Sequence, residues 1–213
     1  MSAIGTDAIV MREKDIILAA RAISIAFTPF YLPLLGLALL FVLSHLSMLP
    51  LKFKLEVLLL VYFFTALLPT LFIKLYRKVQ GWSRIDIGQR ERRMVPYIIS
   101  IACYFTCYYI MNRLQFPHFM SSILMVALVI QLVCAVINIW WKISTHSAAI
   151  GAVTGSLLAF SAIFIFNPVK WLCLVMIIAG LVGTSRMILR QHSLEQVVGG
   201  FMVGFFAGLL IIG

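Results

Sequence analysis

Seven apolar runs, each about as long as a membrane is thick, limit what this chain can fold into. They are Phe27 to Leu49, Leu55 to Ile73, Val95 to Met111, Phe119 to Trp141, Ala148 to Phe166, Trp171 to Leu189 and Val197 to Gly213. A hydrocarbon core of about 30 Å takes about 20 apolar residues in a helix. An earlier stretch, Ile16 to Ile25, carries Arg21 and reads as an interfacial or early helix. Pro29 and Pro33 are expected to bend the start of the first run, and Asn167-Pro168 closes the fifth. Seven spans with short turns use nearly all 213 residues. The expectation is one membrane domain, residues 1–213: an all-α, polytopic integral membrane bundle of about seven transmembrane helices, with no room for a soluble domain.

Composition agrees. The chain is 63% hydrophobic and 11% charged, whereas soluble domains are about 45–50% apolar and about 25% charged. Too few polar groups are present to cover a water-facing surface, so lipid is the solvent for most of the chain. Cys103, Cys107, Cys134 and Cys173 all lie inside apolar runs without a C-x-x-C pair, and read as small apolar residues, not a metal or redox motif. The segment from Met1 to Asp15 precedes an apolar stretch with no small-residue cleavage pattern, so no removable signal peptide is expected. Gly151 and Gly155 form one small-xxx-small pair, and Gly200, Gly204 and Gly208 a longer ladder. Such spacing lets helix backbones approach closely in lipid. Packing within the bundle is the first reading and a homodimer face the alternative.

Basic residues orient the spans. Threading seven crossings puts Arg12, Lys14, Arg21, Lys74, Arg77, Lys78, Arg84, Arg90, Arg92, Arg93, Lys142, Arg186 and Arg190 on one side, and Lys52, Lys54, Arg113 and Lys170 on the other. Setting aside Arg90, Arg92, Arg93, Lys142 and Arg186 as ligand candidates leaves the same bias. The thirteen-residue side, with the loop from Gln80 to Arg93, is expected to face the cytoplasm from an inner or plasma membrane.

The polar residues that remain carry the chemistry, because each is costly near lipid. Glu195 is the only acid after Glu91, and it lies three residues beyond His192. A second polar knot, Lys142-Ile-Ser-Thr-His146, opens the fifth span. The threading brings both knots and the arginine-rich loop to one side. Arginine offers bidentate donors to phosphoryl oxygens and lysine a point charge. The start of the fifth helix adds free N–H groups and a positive dipole end. Two histidines can divide the work between nucleophile and general acid. The constellation suits a phosphate-like anion.

Ser185-Arg186-x5-His192 resembles the third signature, S-R-x5-H-x3-D, of the type 2 phosphatidic acid phosphatase superfamily. Ser144-Thr145-His146 resembles its second, P-S-G-H, with Ile143 in place of proline and Thr145 in place of glycine. The first signature, K-x6-R-P, has its nearest counterpart in Arg90-Glu-Arg-Arg93 with Pro96, and would start a phosphatase-like core over about residues 84–213. The resemblance implies that His192 is a nucleophile forming a phosphohistidine and that His146 protonates the leaving group. It also implies that Arg186, Ser144, Thr145, Lys142, Arg90 and Arg93 bind phosphate. The position of the final aspartate is Gln196, which can fix the histidine tautomer but brings no charge; Glu195, one residue away, is the alternative partner.

The implied activity is hydrolysis of a lipid phosphate or polyprenyl diphosphate without metal or other cofactor. The expected partners are that substrate and the membrane, not nucleic acid. A non-catalytic lipid-phosphate binder or transporter on the same scaffold is the first rival. A bis-histidine haem protein is the second, disfavoured by the surrounding cations.

Overall fold

The computed structural model describes residues 3–43, 45–81 and 90–213, with side chains described for 13–31, 33–42, 46–81 and 94–213. The helices are α1 (Ala3–Ala26), α2 (Leu32–Leu43), α3 (Leu51–Tyr62), α4 (Leu68–Val79), α5 (Arg90–Arg113), α6 (His118–Trp140), α7 (Thr145–Ile163), α8 (Val169–Ile188) and α9 (Leu194–Ile212). Among the described residues none forms a strand. A widened turn, Phe63–Leu67, joins α3 and α4 into one rod, Leu51–Val79. There the buried Thr65 hydroxyl donates to the Val61 carbonyl at 2.8 Å. Among the described residues, six helices are long and apolar enough to cross a membrane, so the chain is an all-α membrane bundle.

The run expected as the first span is not one helix. Proline has no N–H and disfavours helical backbone in the residue before it, and α1 stops at Ala26, just short of Thr28-Pro29. A single tight turn, Pro29–Tyr31, leads into α2, which has 12 residues and is therefore about 18 Å long. The segments Glu13–Tyr31 and Pro33–Val42 meet at 80°. Together they make at most one bent span, so the described residues offer six candidate crossings, or seven if the bent pair counts. The twelve-residue helix still runs along the bundle axis. Pro29 and Phe30 lie beside Tyr97, Arg186 and His192, whereas Leu46, Leu49 and Phe53 pack with Phe116 and Phe164 at the opposite, far end.

The helices α6 and α7 form the centre, with 56% and 61% of their most apolar windows buried, against 22% for α8. The free cysteines follow this division: Cys103, Cys107 and Cys134 are buried and Cys173 on α8 is exposed. The glycine ladder forms the seam between α7 and α9. A Cβ on Gly204 would fall inside the Ala148 carbonyl oxygen, one on Gly200 against that of Ser144, and one on Gly151 against that of Phe201. Backbones this close exclude even a methyl group, which is the packing role expected of the ladder.

Three helices end with a non-glycine residue in the left-handed region: Gln115 (φ 56°), Ile165 (φ 49°) and Arg190 (φ 52°). Each closes its helix with a five-residue backbone bond, from Phe116 N to Met111 O, Phe166 N to Ser161 O, and Gln191 N to Arg186 O. A β-branched residue is the costliest at such a position, and Ile165 is 91% exposed, so its side chain returns little packing. Ile165→Gly is expected to stabilise the protein by about 1 kcal/mol, read as a melting temperature raised by about 2–4 °C in detergent.

Candidate active site

Two polar knots far apart in sequence are joined at the backbone. The short link after α6 brings Ser144 to the first turn of α9, where its N–H donates to the Gln196 carbonyl at 3.2 Å. Trp141 lies over Gly199, where an added Cβ would come within 2.9 Å of the ring. The α7–α9 seam continues below. His146, on the first turn of α7, and His192, just before α9, are thereby held on the same end of the bundle, and the turn at Arg190 delivers Gln191 and His192 there from α8.

The cleft between these elements has a volume of about 500 Å³. Lys142, Thr145, Arg186 and His192 line it, with Tyr97 and Ser100 from α5 and Asn138 from α6. His192 Nδ1 lies 3.1 Å from Gln196 Oε1. That oxygen also accepts the Ser193 N–H at 3.3 Å, and a backbone N–H can only donate, so the amide oxygen faces the ring. Nδ1 therefore carries the proton and Nε2 is the unprotonated ring nitrogen. The Ser193 hydroxyl in turn accepts the Gln196 N–H at 3.4 Å, completing a capping box. Gln196 thus closes the helix start and fixes the histidine tautomer at once. Glu195 is exposed in the first turn of α9; the partner of Nδ1 is Gln196.

Behind His192, His146 lies close enough to Arg186 and His192 to interact electrostatically, with the Ser24 carbonyl beside its ring. Its Nδ1 is buried without a hydrogen-bond partner. Arg186 donates from Nη1 to the Ser24 hydroxyl at 2.6 Å, while its Nε is buried and unpartnered. A guanidinium left half-satisfied in a half-buried position is a strong attractor for an anion with several acceptor oxygens.

One expected ligand is placed differently. Ser144 is fully buried; its hydroxyl bonds that of Ser147 at 2.9 Å and accepts the Ser147 N–H at 3.4 Å. It caps α7, and Thr145 is the hydroxyl that reaches the cleft. Arg90 and Arg93 open α5 rather than closing a loop, one to two turns before Pro96 and Tyr97, but their side chains lie outside the described residues. Among the described residues, no three His, Cys, Asp or Glu side chains gather as a metal ion would require.

Sequence reasoning missed Ser24, Gln131, Asn138, Tyr97 and Ser100. Gln131 and Asn138 carried a signal: they are polar, buried, and seven residues apart on one face of an apolar span. Ser24 carried none, because its role depends on α1 meeting α8.

Residues 138–213 match the family model of the PAP2 superfamily, and they contain both polar knots and the three helices that hold them. No curated protein and no solved structure matches the chain. Over this C-terminal segment the chain is similar to the PAP2 superfamily, whose members are in general phosphatases.

Proposed function

We propose that the protein hydrolyses a lipid phosphate or polyprenyl diphosphate through a phosphohistidine on His192. The observation that carries this reading is the tautomer lock, which makes Nε2 the unprotonated ring nitrogen of a histidine that lines the same cleft as Arg186. The phosphoryl oxygens bind Arg186, Thr145 and Lys142. Nε2 attacks phosphorus as the bond to the leaving oxygen breaks, and His146 gives that oxygen a proton. Water then attacks the phosphohistidine, releasing phosphate and restoring the ring. Purified protein should release phosphate from a panel of lipid phosphates and diphosphates with EDTA present. No release from any of them would overturn the reading.

One observation favours a second reading, a binder without turnover: the partner of Nδ1 is a neutral amide. A carboxylate there stabilises the cation that forms during reaction, and a comparable loss in a serine protease costs about 10⁴ in rate. Gln196→Glu keeps the side-chain length and the capping box while adding the charge. It is expected to raise turnover by up to about 10²-fold, and Glu195→Gln to stay within about twofold of wild type. A large loss in Glu195→Gln would reassign the partner of His192. Tight lipid-phosphate binding with no hydrolysis, even in Gln196→Glu, would favour the binder.

The cleft is assigned to the cytoplasmic side on the balance of basic residues. Ser83 lies outside the described residues, between α4 and α5. A cysteine there should resist an impermeant thiol reagent in intact cells and react after lysis, whereas one at Lys170, on the far end, should react in intact cells. The reverse pattern would place the cleft outside.

A further inference from the structure

Below the polar cleft the bundle interior is not filled. A narrow, partly open cavity lies among α2, α6 and α7, with about 70 Å³ available to the centre of a water-sized sphere. It shares Pro29, Gln131 and Thr145 with the cleft above and is otherwise bounded mainly by apolar side chains down to Phe160 and Phe166. Along α7 it extends from Thr145 to Phe160, fifteen helical steps or about 22 Å. One wall is opened by Gly36, where an added Cβ would meet only Ile123 Cγ2, at 3.6 Å. Near the neck, Tyr104 is 1% exposed and its hydroxyl meets the side chain of Gln131, one of the residues that line both spaces.

We propose that this cavity holds the apolar chain of the substrate: one linear chain, attached to the phosphate in the cleft, threaded between α2 and α7 and stopped at Phe160 and Phe166. This rests on the phosphate-ester reading of the cleft. Three bonds of an extended chain advance about 3.3–3.6 Å, so about 18 carbons fill the length. The chain arrives from hydrocarbon, so entering the cavity adds little hydrophobic free energy. The cavity acts by exclusion: chains up to the limit react alike, and longer ones must fold back or leave the phosphate out of register.

The test uses full-length protein in detergent and single-chain phosphate monoesters of about 8 to 24 carbons, with p-nitrophenyl phosphate as a substrate that reaches only the cleft. Wild-type kcat/KM should be level to about 18 carbons and then fall at least about tenfold. Gly36→Leu, which blocks the cavity midway, should lower kcat/KM for the 18-carbon ester at least about tenfold while leaving p-nitrophenyl phosphate within about twofold. Equal effects of Gly36→Leu on all substrates, or no length limit in wild type, would overturn the proposal.

A second measurement is independent of turnover and of the variant's folding. An 18-carbon alkylphosphonate with a diazirine on its last carbon should label Leu157, Phe160 or Phe166 in wild type. Labelling of lipid-facing positions such as Ile177 on α8, or no saturable labelling, would also overturn it. Labelling at Phe160 in a protein that hydrolyses nothing would leave the chain site standing and remove the phosphatase reading.

Discussion

Replacing His192 by alanine is expected to lower phosphate release by about 10⁴-fold or more, as loss of a nucleophile does in other covalent catalysts. The fold should survive. His192 is half-buried at a turn between helices, and the bonds that start α9, from Ser193 N–H to Gln196 Oε1 and from Gln196 N–H to the Ser193 hydroxyl, do not involve its ring. Wild-type protein quenched in acid with labelled substrate should carry an acid-labile phosphoryl group that His192→Ala lacks. His146→Ala should separate from it by leaving group. Alkyl phosphates, whose alkoxide needs a proton, should lose about 10²–10⁴-fold, and p-nitrophenyl phosphate much less. Wild-type turnover in His192→Ala would move the nucleophile elsewhere.

The largest loss of stability is expected at a residue with no chemistry. Gly204→Val puts a branched side chain where a Cβ already overlaps the Ala148 carbonyl oxygen and comes within 2.8 Å of the Ala152 nitrogen. Overpacking against flexible side chains costs about 1–3 kcal/mol. Here the obstruction is backbone on both sides, so the helices must part along the seam, and a cost above about 4 kcal/mol is expected. Gly180→Val is the control: nothing lies within 4 Å of an added Cβ there, and its effect should stay within about 0.5 kcal/mol. The comparison is read from melting temperature and monodispersity in detergent. Equal behaviour of the two variants would mean that α7 and α9 are not in close contact.

The spans were legible because lipid leaves a long apolar run few alternatives to a helix, and the glycine ladder was legible because its four-residue spacing states a packing face directly. The break at Thr28-Pro29 was written only in part. Two prolines announced a bend, but its size follows from α1 packing on α8, a contact between residues more than 150 positions apart. The same limit applies to the site. His146, Arg186 and His192 announce themselves as polar groups where polarity is costly, and the structure brings them together. Ser144 looked like a phosphate ligand because local sequence does not separate a serine that caps a helix from one that faces a cleft. Gln196 looked like a defect in a signature. Its place three residues after Ser193 would have identified it as the second half of a capping box.

The seam between α7 and α9 has a consequence for how the protein is made. The α9 helix follows the other helices in synthesis, and it supplies Gln196 and the backbone against which Ser144 and α7 are set. A nascent chain that has inserted only as far as α8 already contains His146 and Arg186, but no wall holds the first beside the second, and His192 has no tautomer lock. On the reading proposed above, the cleft is therefore completed in a single late event, when glycine meets carbonyl along the seam.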